Sequence, residues 1–200
     1  DRFQGLVKAG FRSPQLSMKV AECFGKMGRV DRAVEEIEEA LHNFPDSAGL
    51  HATLGDIQVR KRDFPKAREA YEKAIELDAG HGGAHLKLSE MLVKESKVKE
   101  AIVYLEGAIE KNQRNGVLHL GLADLKKRMA KTSGNRTLLE QARQGYESAV
   151  KTDPSLVNAR RNLVSVLLTQ GHAARALEEL EHLAQRPDFH EEMSYEFGQA

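Results

Sequence analysis

Apolar and polar positions alternate with a helical period along this chain, and the pattern repeats at a fixed larger interval. Val20, Leu54, Leu88 and Leu122 lie 34 residues apart, each followed by a small residue, Ala21, Gly55, Ser89 or Ala123. Twenty residues after each of the first three comes Ala40, Ala74 or Ala108, and seven before each of these stands Ala33, Ala67 or Ala101. Self-similarity at this period predicts stacked supersecondary units, because one unit cannot bury its apolar face alone.

Within each unit the apolar residues fall on two stripes at helical spacing, separated by a turn. Residues 1–13 read as the closing half of a repeat, with Phe3, Leu6, Val7 and Ala9 before Gly10. Whole units follow at 14–47, 48–81 and 82–115. In the first, Leu16, Val20, Cys23, Phe24 and Met27 form one stripe, Gly28 breaks it, and Ala33, Val34, Ile37, Ala40 and Leu41 form the next before Pro45. The fourth unit, 116–156, departs from the period: Leu122 to Ala149 spans 27 residues where Val20 to Ala40 spans 20. The seven extra residues predict one added turn on each helix of the hairpin, joined by Ser133-Gly134-Asn135. The period resumes over 157–190 with Leu163, Val164, Leu167, Ala176, Leu180 and Leu183 inward, and 191–200 begins a further unit. The expected organisation is a single continuous array over 1–200, cut inside a repeat at both ends.

Composition narrows the function. Thirty basic residues balance thirty acidic ones, which removes the bulk field that non-specific binding to nucleic acid requires. No apolar run approaches the roughly 18 residues of a membrane span. The single Cys23 has no disulfide partner and reads as a small core filler. Localisation, cytoplasmic or periplasmic, stays open.

A small residue after a large apolar one, a polar turn, then alanine, bulky apolar, alanine and a closing proline at this period resembles the tetratricopeptide repeat (TPR). The rows are Ala33, Ala67, Ala101, Ala142 and Ala176; Ile37, Tyr71, Leu105, Tyr146 and Leu180; Ala40, Ala74, Ala108 and Ala149. The first-helix tryptophan usual in that family is missing, and Gln58 and Lys126 stand where an aromatic is common. The resemblance implies an all-α, right-handed solenoid of antiparallel helix hairpins, a superhelix whose first helices line a concave groove that holds peptides or proteins. It implies no catalysis and no cofactor. Residues alone agree, since no nucleophile, base and orienter fall together and no glycine-rich phosphate loop is present.

If first helices line a groove, its residues are readable by row. Met18, Ala52, Leu86 and Leu120 would form an apolar floor. Glu22, Asp56, Glu90 and Asp124 make an acidic row, and four residues on, Lys26, Arg60, Lys94 and Arg128 make a basic one. Each pair is an i,i+4 couple that would stabilise its own helix by about 0.3–0.5 kcal/mol, or two stripes that would orient a ligand. In the fifth unit Arg161 and Asn162 replace this pattern and are candidates for bonding a peptide backbone or carboxylate. His51, His85 and His119 also recur at 34, a spacing too wide for shared metal ligation, so they read as packing residues and no metal site is expected. The expected function is a non-catalytic scaffold for a protein or peptide partner; the alternative is an accessory arm of a larger enzyme or a polysaccharide-export assembly. Open repeat ends would also let copies of the chain stack.

Overall fold

The structure, a computed structural model, describes residues 13–185. Over that range the chain forms ten helices and no strand: α1 Pro14–Lys26, α2 Val30–Asn43, α3 Ala48–Lys61, α4 Phe64–Leu77, α5 Gly82–Lys94, α6 Val98–Lys111, α7 Gly116–Ser133, α8 Arg136–Thr152, α9 Val157–Thr169 and α10 Ala173–Ala184. The incomplete repeats expected at 1–13 and 191–200 fall, apart from Ser13, outside the described residues, as do the open ends proposed for stacking.

The chain divides into two compact units, Asp1–Lys94 and Glu95–Ala200. In the first, α1 pairs with α2 and α3 with α4, α2 packs on α3, α4 on α5, and the first helices α1 and α3 also touch. In the second, α7 pairs with α8 and α9 with α10, while α6 lies on α7 and α8 on α9.

Local sequence explains where the helices start and turn. Ser13, Ser47, Asp63, Asn115 and Asn135 each accept a backbone N–H of the first turn of α1, α3, α4, α7 and α8, which satisfies donors the helix cannot. The turns that follow α1, α3, α5, α7 and α9 each contain one residue of positive φ: Gly28 (72°), Arg62 (62°), Ser96 (64°), Gly134 (67°) and Gly171 (80°). Three are glycine, which adopts that region without a Cβ penalty.

The long hairpin accounts for the broken period. α7 has 18 residues and α8 17, against 14 each in α3 and α4, so the added turns make up the seven extra residues. Gly134 ends α7 in the left-handed region and Asn135 starts α8 through its side-chain oxygen.

The cores are small-residue cores, as the rows predict. Ala33, Ala67, Ala101, Ala142, Ala149 and Ala176 are sealed, and Ile37, Tyr71, Leu105 and Tyr146 fill the space between them. Three positions read as core are not. Cys23 and Met27 are exposed; the buried face of α1 is carried by Ser17, Val20, Ala21 and Phe24, and at 100° per residue Cys23 lies about 110° from its centre. Leu180 is 40% exposed.

Candidate partner-binding surface

The expected floor residues of the first unit lie on the first helices α1, α3 and α5. Met18, Ala52 and Leu86 are half-buried, neither sealed in the core nor free of it. Between α1, α2 and α3 lies a cavity of about 410 Å³ lined by Met18, Glu22, Val30, Thr53, Asp56 and Arg60, among others. Four predicted site residues from two successive repeats thus share one cavity, whose lining is both apolar and charged. Arg60 lies against the last turn of α1: a Cβ on Gly25 would come within 2.6 Å of its Nη1, and a cation is favoured at that helix end, where carbonyls lack partners.

The charged couples do not form as a set. Glu22 accepts from Lys26 at 2.9 Å and from Lys19 at 2.9 Å; these bonds, Lys26 first, hold its carboxyl down to about 2. The other three acids turn elsewhere. Asp56 accepts from the Tyr71 hydroxyl at 2.8 Å, Glu90 pairs with Lys87 at 3.1 Å, and Asp124 accepts from Tyr146 at 2.6 Å and from Asn162 Nδ2 at 2.9 Å. The expectation of four i,i+4 ion pairs is therefore corrected to one, Glu22–Lys26. Both aspartates meet a phenol of the paired helix instead. Arg60, Lys94 and Arg128 are left exposed.

Acid-to-base spacing along one helix does not reveal this carboxylate–phenol link, although the sequence carries its signal. Asp stands in the acidic row only where Tyr stands in the second-helix row, at Asp56 with Tyr71 and Asp124 with Tyr146; where that row has Ile37 or Leu105 the acid is Glu22 or Glu90. Both tyrosines are fully buried. Burial first, and the adjacent aspartate second, push both phenols well above the usual tyrosine range.

In the second unit Leu120 is half-buried and Arg128 exposed. Asn162 joins two first helices: its Nδ2 donates to Asp124 and its Oδ1 accepts from Lys127 Nζ at 3.2 Å. Lys127 also donates to Ser165 at 3.3 Å and lies 5.9 Å from the Tyr146 ring centroid, a cation–π arrangement. Burial raises the Asp124 carboxyl against the lowering influence of Tyr146, Lys127 and Asn162. Asn162 is thus bound into the unit from both ends of its amide. Arg161 is half-buried beside it.

The histidine row has a structural role. Nε2 of His51, His85 and His119 donates to the carbonyl six residues earlier, Pro45 at 2.9 Å, Ala79 at 3.1 Å and Gln113 at 2.9 Å. Each ring ties an inter-hairpin loop to the helix that follows it. Among the described residues no three His, Cys, Asp or Glu side chains converge as metal ligands, and no helix is long and apolar enough to cross a membrane.

Comparison with known proteins agrees with this geometry. A tetratricopeptide-repeat family model matches residues 21–82 and 52–116. No curated protein matches the sequence. Among solved structures, YrrB, described as a TPR protein with an unusual peptide-binding site, is 20% identical, with 91% of this chain and 90% of that one aligned at a TM-score of 0.50. PilF of Pseudomonas aeruginosa is 17% identical over 86% of this chain and 75% of its own, TM-score 0.62. Human IFIT1, solved as a dimer with m7Gppp-AAAA, is 16% identical, TM-score 0.66, with 98% of this chain aligned to 49% of that one. At these identities the likeness is one of fold.

Proposed function

The chain belongs to the tetratricopeptide-repeat superfamily, and from that premise we propose that it is a non-catalytic scaffold holding a peptide or protein partner against the exposed faces of its first helices. The fold is one associated with protein–protein interaction. The observation that carries the reading is the cavity between α1, α2 and α3, where Met18, Glu22, Asp56 and Arg60 meet. Half-buried apolar groups rimmed by charge are what a partner site offers: burial provides the affinity and the rim sets orientation. Leu86, Glu90 and Lys94 on α5, and Leu120, Asp124 and Arg128 on α7, continue the rows in sequence and would serve the same purpose, with Arg161 and Asn162 contributing polar contacts. The same surface would be used whether the array acts alone or as an arm of a larger assembly.

Selection of peptide ligands from a random displayed library tests the reading. Ligands should be enriched, and Arg60→Glu should weaken them about tenfold with an unchanged melting temperature. Failure to enrich any ligand, or ligands indifferent to Arg60→Glu and to Met18→Ala, would contradict it.

A further inference from the structure

The seven-residue insertion does more than lengthen a hairpin: together with the end of α9 it encloses the larger of the two described cavities, about 950 Å³. Its walls are the last turns of α7, the Gly134-Asn135 turn, the start of α8, and Ser165, Thr169, Gln170 and His172 beyond. Every fully charged side chain in the lining is a cation, Lys127, Lys131 and Arg136, and no carboxylate lines it. In a chain of zero net charge this is a local excess of one sign. The neighbouring acids are already engaged: Asp124 by Tyr146 and Asn162, Glu140 by Arg143 and Gln170.

The cations are arranged at a cost. Lys127 is partly buried, and both loss of water and repulsion from Lys131 lower its pKa against the attraction of Asp124. Its hydrogen bonds go to neutral acceptors on α9, Asn162 and Ser165. Lys131 and Arg136 are exposed, and neither makes an ion pair with a described residue. The α8 N-terminus, at Asn135 and Arg136, adds the positive end of a helix dipole. Ala130 and Leu139 supply an apolar floor. The volume exceeds what a single phosphate or carboxylate fills, and floor and rim together suit a short stretch of chain.

We infer that this cleft is a second docking site, formed by the insertion, for an acidic peptide segment of the partner whose carboxylates meet Lys127, Lys131 and Arg136 while an apolar side chain covers Ala130 and Leu139. The inference rests on the reading of the chain as a peptide-binding scaffold, but it uses different residues from the α1–α3 cavity.

The test is fluorescence anisotropy with a labelled short peptide of alternating glutamate and leucine, beside its glutamine twin, on the whole chain. The acidic peptide should bind at least about tenfold more tightly than the glutamine peptide and weaken as salt rises. Lys131→Glu with Arg136→Glu, both exposed, should abolish that preference without lowering the melting temperature, whereas Arg60→Glu should leave it intact. Equal binding of the two peptides, or an acidic preference that survives the double variant, overturns the inference. So does a short polyuridine RNA that binds through the same residues as tightly as the peptide. Acidic binding lost in Arg60→Glu but kept in the double variant overturns this site while supporting the α1–α3 cavity.

Discussion

The Tyr71 hydroxyl donates to Asp56 at 2.8 Å across the α3–α4 hairpin, and the Tyr71 ring fills the space that a side chain on Gly55 would need, since a Cβ there would lie 2.5 Å from the ring's Cε1. One aromatic therefore fixes the small residue at its face and the acid at its tip. Tyr71→Phe keeps the ring and should cost about 1 kcal/mol, the net worth of one hydrogen bond. Gly55→Ala should cost more, about 1–3 kcal/mol, as overpacking does. Urea denaturation of both variants checks the order.

The hairpin turns give a prediction of opposite sign. Arg62 and Ser96 occupy the left-handed region where Gly28, Gly134 and Gly171 stand in equivalent turns. Arg62→Gly and Ser96→Gly should each raise stability by about 0.5 kcal/mol, relief of the Cβ strain outweighing glycine's added freedom when unfolded. Gly28→Ala should lower it. Thermal melts of the three single variants decide the matter.

Alkaline pH acts through the two buried phenols. Their folded pKa values lie above the ordinary tyrosine value, so their contribution is fully present below about 10 and falls as pH rises above it. Ultraviolet titration should show Tyr71 and Tyr146 ionising together with the loss of helical circular dichroism. In a Tyr71→Phe, Tyr146→Phe variant the alkaline transition should move to higher pH. Early, non-cooperative ionisation of all four tyrosines would contradict this.

Acid works through an ion-pair cluster of the second unit. Arg143 bonds both Glu140 and Glu147, and Arg175 reaches Glu147 at 2.6 Å, which ties α8 to α10. The Arg143 guanidinium holds the Glu140 carboxyl at about 2, below the ordinary 4.5. A lowered carboxylate stabilises the fold above its unfolded pKa and stops doing so as pH falls through the folded one. Stability should decline between about 4.5 and 2, and Arg143→Leu should flatten that limb while lowering stability at neutral pH. A pH series of denaturant midpoints measures both.

Much of this was legible from periodicity. The Ala33, Ala67, Ala101 and Ala142 row is core because small residues recur wherever two helices approach closely, and the lengths of α7 and α8 follow from the displaced Tyr146 and Ala149. Apolar character alone puts Cys23 and Met27 on the α1 stripe, whereas the buried face includes the polar Ser17 and turns away from both. The charged couples were misread for a physical reason: i,i+4 spacing brings two residues to one side of a helix, yet does not decide between a base on the same helix and a phenol on the next. The basic cleft has no signature in the rows, because it arises where the period is broken and depends on Ser165, Thr169 and His172 arriving from a later repeat.

The central claim, that a partner lies on the first-helix faces, is tested most directly by amide hydrogen exchange of the chain with and without a library-selected peptide. The account predicts slowed exchange concentrated in α1 and α3, around Met18, Glu22, Asp56 and Arg60, with α2 and α4 changed little on their outer faces. Protection confined to α2 and α4, with α1 and α3 exchanging as in the free protein, would contradict it.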